Sequence, residues 1–315
     1  MNPTFSRFAW FSLSVVIALV VVLPVRAADC GEQDLLALDW LDKMSRSSHD
    51  SSYHGVITMH RGGRLQSVQV SHVNDGHSTS ESMTRLTGQG AEVHRAGHPL
   101  YCVHPGHKLL RRGSEATDDD CGVAKYYRLA IVPGERIAGQ RTVAIEARPR
   151  DPYRLGHRLS LDSNTGLLLR SDSFDVDGKY LERFQFTKLS YNEHMPGVAD
   201  VEVRRSARHP AAEQSGQSAS PMRPWSVTWV PVGFFPTDNP LPTSDRRTFT
   251  DGLAVFSVFL ESSGIKPGEG AVREGGTLAY SRGMILAGEP VLVTVIGEVP
   301  LGTARMVADK VAWMQ

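Results

Sequence analysis

Along DLLALDWLDKM, from Asp34 to Met44, apolar residues return every three or four positions. Leu36, Trp40 and Met44 form one file, widened by Leu35, Ala37, Leu38 and Leu41. That spacing matches an α-helix with one side against a core. The polar run SRSSHDSS (45–52) is read as its end. From Tyr53 the period changes to two. YHGVITMHRGGRLQSVQVSHV predicts a hairpin turning at Gly62-Gly63, with Val68 and Val70 on one face of its second strand. Further strands are expected within GAEVHRAGHPLYCVH and RTVAIEARP. HRLSLDSNTGLLLRSDSFDVDGKYLERFQFTKLSY predicts a three-stranded antiparallel meander, punctuated by Asn164-Thr165-Gly166 and Asp177-Gly178. Such a sheet buries one face, and the early helix is the obvious cover for it.

The apolar period stops over residues 206–222, which are rich in Ser, Ala, Pro and Gln and read as a linker. This divides the chain into a first domain, 28–205, and a second, 223–315. The second opens on WSVTWVPVGFFPT (225–237), read as a strand whose Pro231 and Pro236 confine it to an edge or to strand ends. Its aromatics Trp225, Phe234 and Phe235 are the candidates for partner contact, because aromatic side chains are enriched at interfaces. DGLAVFSVFLE is a strand with Val255, Ser257 and Phe259 opposed to Phe256, Val258 and Leu260. TLAYSRGMILAGEPVLVTVIGEVP supplies two or three more. A terminal helix over TARMVADKVAWM, with Val307, Val311 and Met314 on one side, completes a small α+β domain.

Composition adds an address. Arg7 precedes the apolar run FAWFSLSVVIALVVVL (8–23), and PVRAA follows it. This pattern predicts a signal peptide, residues 1–27, cleaved before Ala28 and too short for the roughly 20 residues that span a bilayer. Its removal takes away two of the 34 basic residues and none of the 34 acidic ones. The resulting near-neutral chain has no electrostatic footprint for nucleic acid. An exported chain can form disulfides, and its three cysteines allow three pairings. Cys102–Cys121 is the favoured one, leaving Cys30 free or bridging two chains of a homo-oligomer.

Candidate chemistry is sparse. His94, His98, His104 and His107 surround Cys102 within fourteen residues, and these are zinc-ligand types. Gly97, Pro99, Pro105 and Gly106 break the stretch, so it is read as a loop with solvated histidines and no metal is assigned. The DVDG turn lacks the closing Glu of a calcium loop, and GEGAVREGG lacks the Lys-Thr of a phosphate loop. Neither G-x-S-x-G nor H-E-x-x-H occurs. No cofactor and no catalysis are expected.

Several stretches, taken in order, resemble the RseB/MucB family of periplasmic regulators of the sigma-E (AlgU) envelope-stress response. They are Tyr53 and Gly55, the LDSNTGLLLRSDSFDVDGKYLERFQFT meander, Trp229-Val230-Pro231-x-Gly233-Phe234, DGLAVFSVFLE and VTVIGEVPLGTARMVADKV. The resemblance implies a LolA/LolB-like half-open antiparallel β-barrel with covering helices, plus the smaller C-terminal α+β domain. It also implies binding to the periplasmic domain of a membrane anti-sigma factor of the RseA/MucA type. That binding would shield the anti-sigma factor from proteolysis until lipid or lipopolysaccharide releases it. A half-barrel with an apolar inner face suits an acyl chain. The alternative is a periplasmic lipid or lipoprotein carrier, which has no need of residues 223–315.

Overall fold

A computed structural model describes residues 30–74, 78–88, 92–99, 121–191, 223–237, 244–263 and 268–314. Residues 1–27, expected to be a signal peptide, the expected linker 206–222, Cys102, His104 and His107 lie outside them. No helix among the described residues is long and apolar enough to cross a membrane.

The chain opens with helix α1, Glu32–Asp50. Its buried file is Ala37, Leu38 and Leu41, whereas Leu36 is 51% exposed. The helix also runs six residues past the Met44 stop read from the sequence. The serines there do not break it, because Ser45 and Ser47 donate their hydroxyls back to the carbonyls of Asp42 and Met44 (2.9 and 3.0 Å).

Four strands follow: β1 (Tyr53–Arg61), β2 (Arg64–Asn74), β3 (Ser78–Arg85) and β4 (Glu92–Pro99). A 3₁₀ turn at Gly122–Lys125 leads into β5 (Tyr127–Ile137), β6 (Gln140–Pro149), β7 (Gly156–Asp162), β8 (Leu168–Phe174) and β9 (Tyr180–Tyr191). The hairpin at Gly62-Gly63 and the β7–β9 meander are as the pattern predicts. All nine strands form one sheet in the order β4-β3-β2-β1-β9-β8-β7-β6-β5, whose outer strands β4 and β5 do not pair. The sheet is therefore open.

One face of this sheet is the inner one. Met59 lies opposite Phe184, Phe184 opposite Ser171, and Ser171 opposite Leu159. Leu159 belongs to the cluster that α1 covers, with Tyr127, Leu129, Ile145, Ala147 and Leu161. Further along the same face a second cluster gathers Ile57, Val70, Leu169, Phe186 and Leu189. Ile137, from the end of β5, joins it, so the sheet curls until its β5 end reaches across the face.

The C-terminal domain holds a six-stranded antiparallel sheet, in the order β11-β12-β13-β16-β15-β14. Its strands are β11 (Phe235–Pro236), β12 (Arg246–Thr250), β13 (Val255–Ser262), β14 (Glu269–Glu274), β15 (Thr277–Leu286) and β16 (Glu289–Gly297). Phe256, Val258 and Leu260 point into the core, as the alternation requires. Two expectations change. The opening strand is only Trp225–Val227 (β10), outside the main sheet. The terminal helix α2 is only Leu301–Ala308, and Val311–Trp313 is a strand (β17). The two changes share a cause: Trp225–Val227 pairs antiparallel with Val311–Trp313, and that ladder replaces the last helical turn.

Candidate functional site

The two domains meet through a buried polar knot. Arg154, in the β6–β7 loop, and Asp251, in the turn before β13, have side chains wholly out of solvent. Arg154 Nε donates to Asp251 Oδ2 at 2.8 Å, and its other nitrogens donate to Asp151 and to the Val232 carbonyl. The guanidinium lies 4.7 Å over the Tyr126 ring and 4.9 Å over Phe234. Tyr127 donates its hydroxyl to the same Asp251 oxygen (2.9 Å). Burial, and then the Asp251 charge, push the Tyr127 phenol well above its usual range. Asp251 Oδ1 accepts the N–H groups of Leu253 and Ala254 at 3.0 and 2.9 Å, fixing the turn. Every lone-pair direction of the carboxylate is thus used, which is what a buried charge requires.

Apolar contacts surround the knot. Leu253 packs against the large-domain cluster under α1. Tyr153 meets Trp229 edge-on at 5.8 Å, and Thr303 Oγ1 donates to the Tyr153 carbonyl at 3.1 Å. Gly233 has φ +94°, and a Cβ there would lie 2.4 Å from the Tyr126 ring.

A second contact lies across the sheet. Arg61 binds Glu182 through Nε and Nη2 (2.9 and 3.2 Å), and Glu182 Oε2 accepts the Gly276 N–H at 3.0 Å. Gly275 (φ +61°) lets the β14–β15 turn approach, since a Cβ there would sit 2.5 Å from both Arg61 and Glu182.

Beyond α1 the inner face remains partly open. Tyr53, Met59, Val68, Phe184 and Tyr191 are half-buried around the second cluster. Met83, which pairs with Val70, is 46% exposed. His72 stacks on Tyr53 at 5.3 Å with Glu81 3.4 Å from its Nδ1. Burial, then Glu81, raise the Tyr53 phenol to about 12. On the outer face, a groove of about 880 Å³ runs between Arg128, Arg148 and Arg158 and the Asp175–Gly178 turn. Its arginines are matched by Glu146, Asp151, Asp175 and Asp177, so it favours neither sign of ligand.

Trp225 is fully buried in the small-domain core, with Nε1 donating to the Ser244 carbonyl at 2.7 Å and Arg247 stacked 4.4 Å over its ring. Phe234 is also buried, 5.1 Å from Phe256 and beneath Arg154. Neither presents a surface to a partner, because the small domain and the knot use both as packing. Phe235 is half-buried in the edge strand β11. Cys121 bonds to Cys30, not to Cys102, so Cys30 is no leftover thiol. The 3₁₀ turn that carries Cys121 packs beneath α1, and this brings it to the start of that helix. His94 and His98 lie on β4, opposite Ser82 and Thr79. Among the described residues no group of three His, Cys, Asp or Glu could hold a metal. Sequence reasoning missed Arg154, Asp251 and Tyr127. The faint signal was DPYR (151–154), where an arginine next to a tyrosine between two strands reads as surface.

Family models described as the MucB/RseB N-terminal and C-terminal domains match residues 36–210 and 219–312. The sigma factor AlgU regulatory protein MucB of Pseudomonas aeruginosa is 30% identical over 306 residues, or 92% of this chain and 93% of its own length. The sigma-E factor regulatory protein RseB of Escherichia coli K12 is 24% identical over 324 residues, covering 96% and 97%. Neither carries the name of an enzyme. The solved Pseudomonas aeruginosa MucA/MucB complex is 28% identical with TM-score 0.67, covering 89% of this chain and 99% of that one. A crystal structure of MucB gives 28% identity and TM-score 0.59, covering 89% and 98%.

Proposed function

This chain belongs to the MucB/RseB family of regulatory proteins, and from that membership we propose that it binds the periplasmic region of a membrane anti-sigma factor. The observation that carries the reading is the similarity to a chain solved with MucA, over 89% of this chain and 99% of that one. Bound there, the protein shields the anti-sigma factor from proteolysis. The Cys30–Cys121 disulfide supports an oxidising compartment, here the periplasm, reached by cleavage of residues 1–27. Residues 28–205 and 223–315 then act as two modules on the 206–222 tether. Phe235, on the edge strand of the small domain, is the remaining aromatic candidate for partner contact.

Release is assigned to lipid or lipopolysaccharide. An acyl chain on the half-open inner face, between Met59, Val68, Met83 and Phe184, gains about 0.8 kcal/mol per buried CH₂. It shifts the complex only by binding the partner-free form better. A lipid carrier would use the same face. Against that reading stands the small domain, which is keyed into the large one through Leu253 and Asp251.

The test is calorimetry of the mature chain with the periplasmic segment of its anti-sigma factor, with and without lipopolysaccharide. Binding that lipopolysaccharide weakens is expected. Lipid uptake with no affinity for the segment would leave the carrier reading instead.

A further inference from the structure

At one end of the inner face the small domain seats two of its turns on a single row of side chains. His157 is opposite Ser173, Ser173 opposite Glu182, and Glu182 opposite Arg61. At the Arg61 end the Gly275-Gly276 turn lies on Glu182, and a Cβ on Gly276 would stand 3.0 Å from Ser173 Oγ. At the His157 end the Asp251 turn is held by Tyr127, whose ring lies 6.4 Å from the His157 ring. His157 therefore lies between the two seats, flanked on both sides by residues that touch the small domain.

The row is unevenly served. His157 is 6% and Ser173 7% exposed, yet His157 Nε2 and Ser173 Oγ have no hydrogen bond to any described residue. Two carboxylates act on His157, Asp251 from the small domain and Glu182 from β9. Both are already taken. Glu182 binds Arg61 through both oxygens and accepts the Gly276 N–H. Asp251 holds Arg154, Tyr127 and its own turn. The Tyr127 phenol stays neutral beside them, because burial pushes it well above its usual range. A neutral imidazole fits such a place at the cost of an unmade hydrogen bond. An imidazolium would bring a charge and a second N–H into it, with no free acceptor. Burial accordingly keeps the imidazole neutral below the usual 6.5, against the pull of Asp251 and Glu182.

We propose that His157 makes the domain junction acid-labile: docking shuts its imidazole away in the neutral form, and uptake of a proton there drives the two domains apart. The Asp251 and Gly276 turns are the parts that lift, because they are seated along the row. In the open form water reaches the ring, which then titrates at its ordinary value. The docked form binds that proton less firmly than the open one, so docking is at full strength above about pH 6.5. It weakens as the pH falls from there through the docked value, and levels off below it.

The experiment is small-angle scattering of the mature chain and its His157→Gln variant, in a urea series below global unfolding, at about pH 7.5 and about pH 5. Wild type is expected to open at lower urea in acid, its docking weakened by up to about tenfold for each unit by which docking lowers the His157 pKa. The variant carries an amide that cannot take the proton, and should lose that dependence. Other groups that titrate in this range are common to both proteins. The imidazole resonances of wild type give a readout that needs no variant: His157 should titrate below its ordinary value, and only together with the change in scattering. The same pH dependence in both proteins, or a His157 that titrates normally while the domains stay docked, would overturn the proposal. So would a chain that never opens short of unfolding. No partner is present, so failure here leaves the proposed anti-sigma binding untouched.

Discussion

Arg154 Nε lies 2.8 Å from Asp251 Oδ2, and neither side chain reaches solvent although they belong to different domains. A buried pair of this kind is weak evidence of net stabilisation, but removing one member strands the other. Arg154→Met is expected to cost about 3–5 kcal/mol in urea unfolding. Asp251→Asn should add far less in the Arg154→Met background than alone, because the two act as one unit. Strictly additive losses in a double-mutant cycle would show that the contact carries no coupling.

Gly233 tests the same junction through the backbone. Alanine there meets both a φ of +94° and a ring carbon of Tyr126 at 2.4 Å. Gly62 shares the left-handed conformation (φ +53°) but faces open space. Gly62→Ala should therefore cost about 1–3 kcal/mol of backbone strain at most. Gly233→Ala should cost more and spread the domains in solution scattering. Equal losses at the two sites would mean that Tyr126 yields freely.

Where one face is buried and the other wet, the pattern along the chain was enough to read the fold. The Gly62-Gly63 hairpin, the β7–β9 meander and Val255–Leu260 all follow from alternation. β3 was invisible because STSESMTR has almost no apolar file. β5 was hidden by Pro133-Gly134, which the sheet tolerates at its edge through a register shift between Pro133 and Arg136. The knot was illegible for a deeper reason. Arg154, Tyr127 and Asp251 are up to 124 residues apart, and only docking makes them neighbours. Trp225 drew notice as an interface residue on composition alone, yet the β10–β17 pairing folds it inward.

The disulfide joins residues 91 positions apart. In the chain-entropy model a loop of that length is worth about 4–5 kcal/mol. Reduction, or Cys30→Ser, should lower the melting temperature, with a larger effect than Cys102→Ser. A melting curve sensitive to Cys102→Ser and indifferent to Cys30→Ser would favour the other pairing.

Tyr53 sets an alkaline limit. Its phenol is held at about 12 against an ordinary 10.0, chiefly by burial. A raised folded-state value means that its contribution is whole below pH 10 and is lost as the pH rises from there through about 12. That contribution is on the order of 2 kcal/mol. Tyr53→Phe should flatten the stability curve across this window. In wild type, tyrosinate absorbance should show one phenol titrating late that the variant lacks. Identical curves would place the Tyr53 hydroxyl in water.

Met83 offers the sharpest test of the inner face, because it stands on the rim. It shares the face of Val70 and is 46% exposed, so a charge there can stay hydrated without breaking the core. An acyl chain lying across the face would have to cover that charge. Losing a buried methionine contact is worth about 1.5–3 kcal/mol, or roughly tenfold or more in affinity. Met83→Asp is therefore expected to weaken binding of a fluorescent fatty-acyl probe by that factor while leaving the melting temperature nearly unchanged. Leu65→Asp is the control. Leu65 is 62% exposed and sits one register position out of phase with the inner-face residues of β2. A probe indifferent to Met83→Asp but displaced by Leu65→Asp would move the lipid to the outer surface of the sheet.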